Sequence, residues 1–101
     1  WVFDGTELKE GDLFGEHCLH MRCPGGASGH ETDKITASSP ANIELLAKGL
    51  NPDNGGAEMV YHKTVSGGEV FSAGSISYPS ALPVDDAISR ITANVLDRFL
   101  C

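Results

Sequence analysis

The chain has 101 residues, a formal net charge of −7 and 41% hydrophobic residues, with seven aromatics, twelve glycines and five prolines. That length admits one small domain at most, with a modest core and many turns. The acidic balance argues against nucleic acid and anionic membrane as partners, since both need clustered Lys and Arg. No apolar run approaches a membrane span, and no signal-peptide pattern is present. Three cysteines, Cys18, Cys23 and Cys101, form no disulfide framework. They point to free thiols in a reducing compartment and so to a cytoplasmic protein. A Cys18–Cys23 disulfide stays open.

The chain opens on Trp1-Val2-Phe3, apolar at once and without Met. We expect a short strand or strand end there, in a piece of a longer polypeptide. Asp4-Gly5 is a turn signal, and 7–15 reads as acidic loop. His17–Cys23 (HCLHMRC) is compositionally odd, and Pro24–Gly29 (PGGASG) reads as a flexible glycine loop running into His30-Glu31-Thr32-Asp33. Ala41–Leu50 fits either of two elements. Ile43, Leu46, Ala47 and Leu50 have helical spacing, and propensity favours that, whereas Glu44–Gly49 also suits a strand. Asn51–Ala57 (NPDNGGA) is turn-rich.

Residues 58–101 are the better specified part and predict strand, strand, helix. Glu58–Val65 and Glu69–Tyr78 are rich in β-branched and aromatic residues, and Ser66-Gly67-Gly68 between them predicts a tight hairpin. Val70, Phe71, Ile76 and Tyr78 keep to no single parity, so the second strand is expected to be covered on both faces. Val84, Ile88, Ile91, Val95 and Phe99 recur at helical spacing, widened by Ala87, Leu96 and Leu100. Pro83, Asp85 and Asp86 mark the helix start, where acids suit the dipole. Arg90, Asn94, Asp97 and Arg98 fall mostly on its wet side.

Among groupings that could carry chemistry, Gly25–Asp33 is the sharpest. A glycine loop lets backbone N–H groups approach a ligand, and His30, Glu31 and Asp33 offer a base and two carboxylates. A solvated turn accounts for the same residues. His17, Cys18, His20 and Cys23 are of types that suit Zn²⁺, but the paired half-sites of a zinc motif are missing. Ser66-Gly67-Gly68 lacks the lysine and following helix of a phosphate loop. Gly74-Ser75-Ile76 is no nucleophile elbow, so Ser72, Ser75 and Ser77 are not read as nucleophiles. His62 reads as a packed or edge histidine, and Asp85 and Asp86 as helix-start acids. Residue types and spacing alone therefore reach an α/β piece with one polar glycine loop, and no reaction.

One resemblance goes further. Trp1-Val-Phe-Asp-Gly5, Gly29-His-Glu31-x-Asp33, Met59-Val60-Tyr61, Gly67-Gly68-x-Val70-Phe71-Ser72-x-Gly74-Ser75-Ile76 and Ser89-Arg90-Ile91-Thr92-x-Asn94-Val95-Leu96-x-Arg98-Phe99 occur in this order. Together they resemble the C-terminal end of the large (β) subunit of the N,N-dimethylformamidase family, loosely over 6–57 and tightly over 59–99. The resemblance implies the C-terminal part of a glutamine-amidotransferase-like (flavodoxin-like) α/β sandwich, here a β-hairpin with further strands and a C-terminal helix. It favours the strand for Ala41–Leu50. It implies an amidohydrolase that cleaves the C–N bond of a small linear amide. It also implies a mononuclear non-haem iron, held by tyrosine and glutamate ligands upstream of Trp1. Glu31 matches an active-site glutamate, with His30 and Asp33 as weaker assistants. The implied partners are the remainder of the large subunit, a small subunit and the amide substrate, and the segment alone is expected to be inactive. The chain departs from the family pattern at His30, where an aromatic is commoner, at the insertion-like His17–Cys23, and at Pro79–Asp86, which replaces a polar loop. The competing reading is a structural or interaction module that keeps the fold without the chemistry.

Overall fold

A computed structural model describes residues 1–16 and 25–100. The zinc alternative at His17, Cys18, His20 and Cys23 and the Cys18–Cys23 disulfide lie outside the described residues, as does Cys101. Strands Glu44–Lys48 (β1), Glu58–Lys63 (β2) and Glu69–Ser72 (β3) form an antiparallel sheet in the order β1-β2-β3. A single helical turn, Tyr78–Ala81 (α1), precedes the long helix Asp86–Leu100 (α2). A sheet plus a covering helix is compatible with an α/β class.

The register places Glu44 opposite Tyr61 and Lys48 opposite Glu58, with a slip between Leu45 and Ala47. Across the hairpin, Tyr61 faces Phe71 and Lys63 faces Glu69. Period-two alternation then sorts the side chains. Met59 and Tyr61 are buried, while Val60 and His62 are half-buried. Met59 joins Ile88, Ile91 and Val95 of α2 in the core, with Ala47 and Phe71 packed against it. Leu45 and Val70, opposite Val60 and His62, are exposed. The second strand is thus covered on one face, not two, because the described chain supplies one helical layer.

That strand is also shorter than its composition suggested. It ends at Ser72 rather than Tyr78. Gly74 takes φ +76, and a Cβ there would lie 2.8 Å from the Glu58 carbonyl oxygen, so the chain bends away where a side chain could not follow. Tyr78 instead opens α1, with Pro79 in its first turn. Thr64–Gly68 forms the hairpin loop, closed by Thr64 N–H to Gly68 O (2.8 Å) and Gly67 N–H to Thr64 O (3.0 Å). β1 is a strand, so the pairing offered by β2 overrides its helical propensity.

Helix α2 has two working faces. Ile88 and Ile91 are almost wholly buried, each contributing about 1.5–3 kcal/mol by removing apolar surface from water. Its polar edge is not simply wet. Asn94 Nδ2 donates to the carbonyls of Val2 (2.9 Å) and Asp4 (2.8 Å), and Arg90 Nε donates to Asp4 O (3.3 Å). These bonds explain why Trp1–Phe3 is no strand. Its carbonyls are taken by helix side chains and by local turns, Asp4 N–H to Trp1 O and Thr6 N–H to Phe3 O, both 3.1 Å. No helix among the described residues is long and apolar enough to cross a membrane.

The two start-signal acids divide in role. Asp85 Oδ1 accepts the Ile88 N–H at 3.0 Å and the side chain is buried, whereas Asp86 is exposed. Replacing Asp85 by Ala should therefore cost about 1–2 kcal/mol in urea unfolding, and Asp86→Ala only a few tenths, roughly. Equal effects would refute the cap assignment.

Candidate functional site

The glycine-rich stretch is a packed turn, not a flexible loop. Gly26–Ser28 makes one turn of 3-10 helix, with Gly26 and Ala27 buried. Asn51 fastens it: Nδ2 donates to Gly25 O (2.6 Å), and Oδ1 accepts the Ser28 hydroxyl (2.7 Å). Ala57 N–H donates to Ser28 O at 2.8 Å. The backbones of Gly49 and Gly56 meet beside it so closely that a Cβ on Gly56 would fall 2.6 Å from Gly49.

His30–Asp33 follows on a backbone tied from both sides. Asp33 N–H donates to Gly74 O (2.7 Å), and Asp33 O accepts from Glu58 N–H (3.0 Å). Thr32 Oγ1 donates to Gly55 O at 2.9 Å. His30 O accepts from Ile76 N–H (3.2 Å) and from the Ser75 hydroxyl (3.0 Å). Between these anchors Glu31 holds φ +46. The left-handed region costs a residue with a Cβ roughly 1–2 kcal/mol. Asp53 and Asn54 also have positive φ, but their short polar side chains tolerate it. Glu7 shares it in an open loop where Thr6 and Leu8 are tied only to residues within three positions. The side chains of His30, Glu31 and Asp33 are exposed and make no hydrogen bond with described residues. The three site residues proposed from the sequence therefore stand together on one hydrogen-bonded turn, exposed to solvent.

A cleft among the described residues lies elsewhere. It has a volume of about 700 Å³ and is walled by Leu8, Phe14, Leu46, Leu50 and Met59, with Gly25–Ser28 at its margin. His30, Glu31 and Asp33 are not in its wall.

Sequence reading missed a polar cluster at the sheet edge. The Tyr61 hydroxyl donates to Glu69 Oε1, and Arg98 Nε donates to the same oxygen at 2.7 Å. Arg98 lies over the Trp1 ring, 4.6 Å from its centroid, and Trp1 meets Tyr61 edge-on at 5.4 Å. The Tyr61 bond and then Arg98 hold the Glu69 carboxyl below its ordinary range. The bond to Glu69, with desolvation, pushes the Tyr61 hydroxyl up. No local pattern signals this cluster, because it gathers residues from four separate stretches. Its tyrosine and glutamate are donor types that iron accepts, yet they do not fit a metal. The guanidinium already occupies the carboxylate and would repel a cation. Tyr78 is tied to Thr92 Oγ1 at 2.9 Å instead. Among the described residues no group of three His, Cys, Asp or Glu could hold a metal ion.

Comparison with known proteins gives a consistent answer. A family model described as N,N-dimethylformamidase beta subunit-like, C-terminal, matches residues 1–92. The chain is similar to the N,N-dimethylformamidase beta subunit of Paracoccus aminophilus, 31% identical over 132 aligned positions that cover 99% of the chain and 16% of that protein. It is similar to a protein of the same name from an Alcaligenes species, 30% identical over the same shares. The chain thus spans 16% of the length of these relatives. No solved structure matches it.

The polar cluster sets a pH dependence whose sign follows from its carboxylate. A depressed folded-state acid contributes stability above the ordinary carboxylate range and loses it as pH falls through its folded value. The stability gap between the natural protein and Glu69→Gln should therefore narrow between pH 7 and pH 3, read as melting temperatures across that range. A gap independent of pH would contradict the assignment.

Proposed function

The chain belongs to the N,N-dimethylformamidase beta subunit-like C-terminal family, and from that premise we propose that it is the closing segment of a large subunit that hydrolyses the C–N bond of a small linear amide. In this reading Glu31 is the segment's contribution to the reaction. It takes a proton from the water whose oxygen bonds the carbonyl carbon, and the proton passes on to the departing nitrogen. His30 and Asp33 flank it as assistants in proton handling and solvation. The iron that the family resemblance implies would have its ligands outside this chain.

One observation carries the reading. Glu31 keeps a costly left-handed backbone on a turn anchored at both ends, while its carboxylate bonds to nothing in the described chain. Strain retained by a group that contributes no packing suggests that the group serves function rather than stability. The remainder of the large subunit would supply the other wall of the pocket, and a small subunit would complete the assembly. The uncovered Leu45 and Val70 on the outer sheet face suit burial against that remainder, within a glutamine-amidotransferase-like sandwich. A second reading, a non-catalytic interaction module, draws on the cleft, whose wall excludes His30, Glu31 and Asp33.

The readings separate in the full-length subunit. Glu31→Gln should lower kcat on a small amide by about 10²–10⁴-fold. Glu31→Gly should lose as much turnover yet gain about 1 kcal/mol of stability, because glycine meets the left-handed backbone without strain. Unchanged kcat in Glu31→Gln favours the module. A loss of stability in Glu31→Gly removes the strain argument.

A further inference from the structure

Gly74-Ser75-Ile76 follows β3 and has no part in the sheet ladder. Every one of its residues nevertheless bonds to the backbone beside Glu31. Gly74 O accepts Asp33 N–H at 2.7 Å, two residues after Glu31. Ile76 N–H donates to His30 O at 3.2 Å, one residue before it. Ser75 Oγ donates to His30 O (3.0 Å) and accepts from His30 N–H (3.3 Å) and Ser77 N–H (3.1 Å). A hydroxyl has one proton and two acceptor sites, so this one is fully committed. It grips both polar groups of a residue 45 positions away. Gly74 is required for the approach, since a Cβ there would lie 3.3 Å from Asp33 O as well as against Glu58 O.

We propose that Gly74-Ser75-Ile76 is the seat of the Glu31 turn and that Ser75 is a positioning residue for the Glu31 carboxylate. This assignment rests on the reading of Glu31 given above. A serine hydroxyl consumed in this way cannot act as a nucleophile. Its chemistry is to fix the peptide units next to a side chain that must face a reacting water, where a displacement of about 1 Å can cost ~10²-fold in rate.

Two measurements on the full-length subunit decide it. In Ser75→Ala, amide hydrogen exchange over residues 30–33 should rise about tenfold while α2 amides are unchanged, because the lost bonds are local. In the same variant kcat should fall by about 10–100-fold with KM constant within about twofold, and Ser75→Thr, which keeps the hydroxyl, should recover most of it. A double variant Glu31→Gln/Ser75→Ala should turn over no more slowly than Glu31→Gln alone, since Ser75 acts through Glu31. Unchanged exchange over 30–33 overturns the seat. A double-variant loss equal to the product of the single losses overturns the action through Glu31. Full turnover in Glu31→Gln overturns the catalytic reading by itself, and the exchange result still decides the seat.

Discussion

The backbone of Asp33 is bonded on both sides, its N–H to Gly74 and its carbonyl to the N–H of Glu58 at the head of β2. That double tie is the constraint on which the candidate site depends. The stretch from Gly25 to Asp33 buries little apolar side chain beyond Ala27, so packing alone does not hold it. Paired backbone groups supply the rest, each contributing roughly 1 kcal/mol net. Asn51, the Ser28 carbonyl and Thr32 extend the same attachment along the chain after β1. Gly49 lets Ser28 approach, since a Cβ there would lie 2.7 Å from its hydroxyl, and Gly49 and Gly56 close the loop after β1 on each other.

The second support is α2. Its apolar face closes the core against Met59, while Arg90 and Asn94 draw in the first residues and Arg98 ties to Glu69. One helix thereby fastens the start of the chain, the hairpin and the core. Its last turn is different. Leu96, Phe99 and Leu100 continue the apolar stripe but stay exposed. The same holds for Leu45 and Val70 on the outer sheet face and for Leu13 and Leu50 beside the cleft. Apolar surface is thus left uncovered on several sides of the described chain.

On the proposed role of Glu31, catalytic need and local stability are set against each other at one residue. Glu31 occupies a conformation that glycine would adopt freely, and the turn persists because its flanking peptide units are over-determined by bonds from distant parts of the chain. Anchored peptide units around an exposed carboxylate suit the proton transfer proposed for it, since such a rate falls steeply with misplacement.

The sequence by itself determined the elements whose signals are local. The spacing of Ile88, Ile91 and Val95 specified α2, the paired β-rich runs around Ser66-Gly67-Gly68 specified the hairpin, and the ordered motifs specified the family. Helical period, turn chemistry and motif order are all written within a few residues of where they act. For 44–48, residue spacing left helix and strand open, the family resemblance favoured the strand, and pairing with β2 bears it out. Tertiary structure alone decided that the strand after the hairpin stops at Ser72 and that the glycine stretch is packed. It alone brought Tyr61, Glu69, Arg98 and Trp1 together and set Ser75 against His30. Each of those outcomes depends on a partner far along the chain, and hydrogen-bond partners at such separations leave no periodic trace in the residues that precede or follow them.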